Sequence, residues 1–566
     1  MSVRVFFSER KEEKNVSRTI SCMGFYSQHD SGTIKISRVD NSTLIRTLLI
    51  LVCLSIFNAH SQQSREGDLI QLARLTLEKN PILKSSEIQI TSSEGNVRVQ
   101  QSTFDYQLTS AFALRENKNY LFEADPRNEA FENAFIETHA TDFSLGFQRK
   151  FRSGLSSALQ LNYEQSASNF PFNQFNQNIS PFLANHSVTT TLSLTQPLWR
   201  GRGRRVVAAL ERAAKLQVES SQDTYQITTA FELSQMAIAY WQYLCAFKNL
   251  SIFEENEKRI RNVLEITEEL VKADKKPAGD LVQIQADLAN QERQTTVAIQ
   301  NVYTARLNLG RAIGLSETES ESIGQPSNEF PTIVASGFTN EFSKSQMIEL
   351  AIRNRKDLSA SQKTREALEA QYKVATNNLR PQLDLTGFGS YGGSNTGNGL
   401  DPALEVLNNR EGRNYGVGLR LNFSFPLNNN LAKGNRIQSK AAVEDQEITI
   451  DNLKRNMAIN VDIAVNDLKN TIFILEKARE SLAYSQTVFD NEQVKFQNGL
   501  TTLLNLIIFQ DRLTLAQRDY LLAQQQFAIA IVNLRFETGT LLPDTTDISS
   551  FAIDKNTFYQ IPTDTN

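Results

Sequence analysis

The sequence predicts a mixed α/β fold made of a tandem internal repeat, in which alternating strands give way twice to a very long helix and a return helix. Three observations predict it. Six segments alternate apolar and polar residues with period two, the pattern of a strand with one apolar face. Two stretches, 204–271 and 431–495, contain no proline and no glycine beyond their first residues. Residues 280–314 lie on 505–539 at a constant offset of 225 without gaps, with ten of 35 positions identical.

The chain has 566 residues and a formal net charge of −4. Residues 1–61 hold eight Lys/Arg and five Asp/Glu, which leaves 51 basic and 58 acidic residues, a net of −7. A dedicated nucleic-acid binder is normally basic, so no nucleic-acid partner is expected. The apolar run TLLILVCLSIFNA (47–59) is too short to span a bilayer. With Arg46 before it and AHS (59–61) after it, it reads as a secretory signal cleaved after Ser61. Val52 stands where a lipoprotein signal wants a small residue before Cys53, so lipidation is not expected. Of Cys22, Cys53 and Cys245, only Cys245 outlasts cleavage. It lies in AIAYWQYLCAF and reads as a packed small hydrophobe, with no intrachain disulfide.

The first repeat occupies 62–340. It comprises a helix over 68–101, a β segment over 104–199, the long helix 204–271, a turn at 272–280, a return helix 280–314 and a linker rich in Ser, Glu and Pro. The strand patches are 106–116, 140–151, 155–166 and 187–199. The second repeat, 341–541, has a helix over 344–378, a β segment over 382–427 with patches 382–391 and 415–427, the long helix 431–495, a turn at 496–502 and a return helix 503–538. A tail, 542–566, follows. Each long helix would measure about 100 Å at 1.5 Å per residue and needs a partner along its length. Val461, Val465, Leu468, Ile472 and Leu475 supply heptad spacing, as do Leu506, Leu513, Tyr520, Phe527 and Leu534. Both strand-to-helix junctions share a plan: TQPLWRGRGRR (195–205) and FSFPLNNNLAKGNR (423–436). Pro197 and Pro426 end the ladder, while Gly203 and Gly434 are expected to re-aim the chain into the helix.

This order resembles the TolC family of outer-membrane efflux proteins, over about 68–541. The resemblance rests on the duplicated strand–Pro-Leu–Gly–long-helix junctions. It rests equally on return helices that close with Asn-Leu-x₄-Gly (308–314 and 533–539). It implies a homotrimer in the outer membrane, each chain giving four strands to a shared transmembrane β-barrel and helices to a periplasmic coiled-coil tunnel. The 140–166 hairpin is surplus to four strands. It is either an extension beyond the membrane or not a strand pair. Pooling closes the sheet edges, as a membrane requires.

The resemblance also implies partners: a periplasmic adaptor protein and an inner-membrane pump of the RND, ABC or MFS type. The adaptor is expected at the tip turns, on Lys275, Lys276, Pro277 and Asp280 and on Gly499, Leu500, Thr501 and Thr502. Asp274 aligns with Gly499, so the first turn departs from the family's flexible pattern. The acidic pair that rings the closed pore in the family's best-known member falls on Asn505 and Ile508, which replace it as the expected constriction. At the barrel–helix junction Trp199 is expected in the interfacial belt, with Arg200, Arg202, Arg204 and Arg205 on lipid headgroup phosphates.

The function implied is a passive exit duct for efflux or one-step (type I) secretion. The alternative is an exported structural or adhesive coiled-coil protein without a pore. No enzyme chemistry, metal or cofactor is expected. His139 and His186 read as loop residues, GFGSYGGSNTGNG (387–399) as a surface loop, and Gly201–Gly203 lacks a further glycine and strand context for a dinucleotide.

Overall fold

The computed structural model describes residues 65–130, 135–170, 182–334, 336–337, 343–406, 413–542 and 553–562, which lie in one compact unit. The expected signal segment 1–61 lies outside the described residues, as do parts of the linker and the tail. The chain opens with β1 (Arg65–Gly67), α1 (Leu69–Lys79) and α2 (Pro81–Gln101). Periodicity predicts one helix over 68–101, but Pro81 has no N–H for the preceding turn. Asn80 leaves the helical region (φ −60°, ψ 123°) and caps α2, accepting from Ile82 N at 2.8 Å.

Next come β2 (Tyr106–Tyr120), β3 (Phe135–Lys150), β4 (Ser156–Ser168) and β5 (Ala184–Pro197). They are joined from the second half by β7 (Gln382–Thr396) and β8 (Arg413–Ser424). All six form one antiparallel sheet in the order β2-β3-β4-β5-β7-β8. This corrects the expected four strands per chain. The 140–166 hairpin is a true strand pair and lies within this sheet. β3 pairs with β2 along all of β2, from Tyr106↔Arg149 to Tyr120↔Phe135. Most strands run past their predicted far ends, because a backbone ladder also accommodates polar residues such as Asn117 and Asn119. Gly387 to Thr396 therefore continue β7 rather than forming a loop. His139 and His186 likewise lie on β3 and β5.

The helices are α3 (Ala209–Lys272), α4 (Ala278–Ile313), α5 (Lys344–Asn354), α6 (Lys356–Asn377), α7 (Asn430–Gln497) and α8 (Leu503–Glu537). α5 and α6 break at Arg355 (φ −69°, ψ 120°), where the sequence predicts one helix. α3 and α7, of 64 and 68 residues, run the length of the helical part. Beside the sheet the packed order is α2-α3-α6-α7; toward the turns it is α4-α3-α8-α7. The heptad stripe is the seam: Val461, Val465, Leu468, Ile472 and Leu475 are buried against Phe527, Ile531 and Leu534.

A belt surrounds the middle of α3. β6 (Ile323–Pro326) pairs in parallel with β1. Tyr240, Trp241 and Tyr243 pack against Phe330, Phe558 and Tyr559. Tyr240 donates to Gly67 O at 3.0 Å and Asn328 Oδ1 at 2.6 Å, Tyr243 to Gly324 O at 3.1 Å, and Tyr559 to Glu329 O at 2.7 Å. Cys245 is buried in this cluster, which pushes its thiol up to about 11.

The two Asn-Leu-x₄-Gly endings do the same thing. Gly314 (φ +90°) follows α4 and abuts the break at Asn80–Pro81. Gly539 (φ +68°) follows α8 and abuts the break at Asn354–Arg355. Left-handed φ and close backbone approach both call for glycine.

Candidate functional site: the tip turns and the sheet–helix junctions

The tip turns are two copies of one helix ending. After α3, Asp274 N donates to Val271 O at 3.0 Å and Lys275 N to Leu270 O at 2.9 Å. After α7, Gly499 N donates to Phe496 O and Leu500 N to Lys495 O, both at 2.9 Å. Both sets are Schellman motifs, with Asp274 (φ +53°) and Gly499 (φ +71°) as the left-handed residue. The first turn departs from glycine in sequence without departing in shape, because aspartate tolerates this region better than most residues.

The turns touch each other. Lys276 Nζ donates to Thr501 O at 3.2 Å and sits 5.2 Å from the centroid of the Phe496 ring. Thr501 Oγ1 donates to Glu492 Oε1 at 2.5 Å, and Lys495 Nζ reaches Glu492 Oε2 at 3.1 Å. These donors, the Thr501 hydroxyl first, hold the Glu492 carboxyl below its ordinary range. Asn505 Nδ2 donates to Thr501 Oγ1 at 3.3 Å, and Thr502 caps α8 by accepting from Asn505 N at 3.3 Å. Beneath lies an apolar plug of Ile260, Val263, Ile284, Phe496, Leu503 and Leu506. Thus Lys276, Thr501, Thr502 and Asn505 are brought together. Lys275, Pro277 and Leu500 are exposed at the end, Asp280 is half-buried on the first turn of α4, and Ile508 is exposed on α8. Sequence reasoning missed Glu492 and Phe496. It also missed a buried amide chain above them: Gln510 Nε2 donates to Asn256 Oδ1 at 2.7 Å, and Asn256 Nδ2 to Gln291 Oε1 at 2.9 Å.

At the other end, β5 finishes at Pro197, and Leu198 N still donates to Leu383 O at 2.7 Å. Trp199 is half exposed and edge-on to Phe423, on the sheet's apolar face. Arg200 does not stand free: its guanidinium donates to Gln382 Oε1. Arg202, Arg204 and Arg205 are exposed. Arg204 and Arg205, with Arg212, Lys215, Arg365 and Lys373, line a groove of about 1000 Å³ between α3 and α6. Gly201 (φ +78°) and Gly203 (φ +90°) let the loop fold over the β3–β4 turn, where Gly203 N donates to Ser153 O at 3.0 Å. In the second junction, the expectation for Gly434 is corrected. It lies inside α7, and Asn429 (φ +44°) makes the bend, because asparagine too enters the left-handed region. Pro426 lies just past the end of β8.

One further contact, unforeseen from sequence, fixes this end. Arg152, in the β3–β4 turn, donates to both oxygens of Glu211 at 2.7 and 3.1 Å, with Lys215 Nζ 3.1 Å away. Glu211 is 6% exposed, and the guanidinium holds its carboxyl down to about 2.

The sheet itself has two chemically distinct faces. On one, Leu108, Phe112, Phe147, Leu159, Leu192 and Leu419 are exposed. The registers place Leu108 beside Phe147, Phe147 beside Leu159, and Leu159 beside Leu192. The other carries Gln148, Ser144, Asn162, Thr191, Thr386 and Asn422. Along β8 the apolar band runs from Phe423, near Trp199, to Tyr415, which pairs with Tyr391. That is about nine residues, about 27 Å measured along the strand at 3.4 Å per residue, the length a tilted strand needs to cross a bilayer. No described helix is long and apolar enough to cross a membrane, and no described Cys/His/Asp/Glu cluster could hold a metal ion.

Residues 347–540 match the family model described as outer membrane efflux protein. No curated protein matches the chain. Among solved structures, the outer-membrane channel OprN superimposes with a TM-score of 0.60 at 15% identity, covering 83% of this chain and 90% of its own. The VceC outer membrane protein of Vibrio cholerae gives 0.57 at 14%, covering 83% and 96%. The CmeC outer membrane channel of Campylobacter jejuni gives 0.56 at 16%, covering 83% and 85%.

Proposed function

We propose that this chain, a member of the outer membrane efflux protein family, is the outer-membrane exit duct of a tripartite efflux or one-step secretion system. The observation that carries the reading is the sheet. It has a band of lipid thickness on one face, a polar opposite face, and two edge strands, β2 and β8, whose outer edges have no partner among the described residues. In a bilayer such edges must be closed, and an even strand count makes β8 of one copy antiparallel to β2 of the next. The helices repeat this asymmetry. α2 and α4 flank one side and α7 the other, with exposed Ile88, Val297, Ile448 and Ile463. Head-to-tail contact of two unlike sides closes a ring, and three copies are the number the resemblance supplies. The tandem duplication is supported by the paired glycine contacts and the paired Schellman turns.

The conduit is passive. It opens where the tip turns meet, with Asn505 and Ile508 as the narrowest ring. The turn residues Lys275, Lys276, Pro277, Asp280, Gly499, Leu500, Thr501 and Thr502 dock a periplasmic adaptor, which couples the duct to an inner-membrane pump. Trp199 lies at the membrane boundary. Arg202, Arg204 and Arg205 meet lipid phosphates there, while Arg200 braces β7. The test is planar-bilayer conductance of the purified protein, with oligomer mass determined alongside. Discrete channels from a three-chain particle are expected. A soluble, channel-free protein would return the reading to a structural coiled coil.

A further inference from the structure

Resting on the outer-membrane reading above, we propose that the β3–β4 hairpin is part of the membrane wall. Three copies, each joining its β2 edge to the β8 edge of the next, then close a barrel of eighteen strands rather than twelve. Three observations place the hairpin in the wall. First, its registers run the full height of the sheet. β3 matches all of β2, and β4 matches β5 from Ser156↔Thr195 to Ala167↔Ala184. A hairpin projecting beyond the membrane would leave its neighbours partway.

Second, the two-faced pattern passes through it without a break. Leu145 pairs with Leu161, Phe147 with Leu159, and Phe143 with Tyr163 on the apolar face. Ser144–Asn162 and Gln148–Ala158 continue the polar one. Leu145, Phe147 and Leu159 are 37–44% exposed, so nothing among the described residues covers that face. Third, the hairpin's turn is anchored at the same level as the other strand ends. Arg152 grips Glu211, Ser153 O accepts from Gly203 N, and Gly154 sits so close to Gly201 O that a Cβ would lie 2.4 Å from it. The RGRGRR segment thus acquires a function that its charge alone does not suggest: its glycines take the left-handed angles that fold it over this turn, and Gly154 leaves room for it.

The hairpin adds two strands, so β2 still ascends and β5 still descends, and the junctions into the helices keep their directions. Its effect is on width. At about 4.8 Å between strands and a tilt of about 40°, eighteen strands make a cylinder about 36 Å across, against about 24 Å for twelve. The cross-section is about twofold larger by the same geometry, and the inward face is built mainly of small and polar residues. The outlet then imposes little size selection, which falls to the helical tunnel and its tip.

The test is thiol accessibility in trimers reconstituted into lipid vesicles, on a Cys245→Ser background. The probe is a water-soluble, membrane-impermeant maleimide. Single variants Ser144→Cys and Asn162→Cys report the polar face of the hairpin, and Leu145→Cys and Leu161→Cys its apolar face. Leu192→Cys and Leu419→Cys report the apolar face of β5 and β8. Labelling roughly tenfold slower at Leu145 and Leu161 than at Ser144 and Asn162 is expected, because lipid excludes the probe. Fast labelling at all four hairpin positions, with Leu192 and Leu419 still shielded, would put the hairpin outside the wall and overturn the proposal. Fast labelling at Leu192 and Leu419 as well would overturn the outer-membrane reading itself. Slow labelling at Ser144 and Asn162 would mean no water-filled bore beside the hairpin, and would also overturn the proposal.

Discussion

Three glycines with similar backbone angles and different surroundings allow conformation and contact to be separated. Gly314, Gly539 and Gly499 have φ of +90°, +68° and +71°. An alanine at any of them costs about 1–2 kcal/mol for placing a Cβ in the left-handed region. Around Gly499 nothing lies within 4 Å, so that is its whole penalty. At Gly314 the new Cβ would sit 2.7 Å from Pro81 Cδ and 2.9 Å from Asn80 Cα, atoms fixed to backbone. Relieving that overlap adds about 1–3 kcal/mol. Gly539 is intermediate, with Arg355 N and Asn354 C at 3.0 Å. The expected order of destabilisation is Gly314→Ala, then Gly539→Ala, then Gly499→Ala. The assay is denaturant unfolding of the detergent-solubilised protein, followed by helix circular dichroism, with hydrogen exchange localising the change to the α1–α2 break. Equal midpoints for Gly314→Ala and Gly499→Ala would refute the argument, since they would leave the close approach without energetic weight.

Arg152→Ala should destabilise the protein by about 1–2 kcal/mol at pH 7, a value reduced for the arginine's partial exposure. Glu211 titrates near 2 when folded and 4.5 otherwise. Its contribution is therefore complete above about pH 4.5 and fades as pH falls toward 2; a thermal-melt penalty for Arg152→Ala that stays constant down to pH 2 would count against the pair. Gly499→Asp copies the conformation Asp274 already adopts, so trimers should persist while adaptor affinity falls in a pull-down. Loss of the trimer would assign that turn to assembly. Asn505→Ala with Ile508→Ala should raise single-channel conductance, whereas no change would place the constriction elsewhere. The Glu492 carboxyl is held below its ordinary range, so its grip on Thr501 is present near neutral pH and lost as pH falls. Channel opening should accordingly increase in acid in the parent and much less in Glu492→Gln; identical acid responses would remove Glu492 from the latch.

Much of this architecture is legible because long-range order here is written in short-range patterns. Period-two alternation marked all six large strands, including the hairpin that the family resemblance treats as surplus. Heptad leucines and valines marked the seams, since a helix of 64 residues without breakers has few alternatives. The illegible features are those where one residue decides against its neighbours. Asn80–Pro81 and Arg355 break helices inside unbroken apolar periodicity, and Asn429 takes the bend expected of Gly434. The belt gave the weakest signal. Phe558 and Tyr559 lie in a short segment whose partners, Trp241 and Phe330, are hundreds of residues away. The junction pair Arg152–Glu211 and the amide chain from Gln510 to Gln291 are invisible for the same reason: no local pattern announces a contact between distant elements.

The distribution of contacts also bears on where the duct can move. The sheet end is fixed by continuous ladders and by a buried carboxylate held by two cations. The middle is fixed by a belt in which three tyrosine hydroxyls bond backbone carbonyls over a close-packed aromatic cluster. The tip has an apolar plug, but its two turns are joined to each other by one lysine on one carbonyl, with Glu492 and Asn505 steadying Thr501 at the surface. Local opening favours segments with few buried contacts and exposed hydrogen bonds. The tip is that segment, and the polar amide chain just above it is the first layer where separating α8 from α3 would leave buried groups unpaired. A motion that parts the turns below Gln510 and stops there breaks the fewest contacts. It would widen the proposed ring at Asn505 and Ile508 while leaving the belt and the sheet as they are.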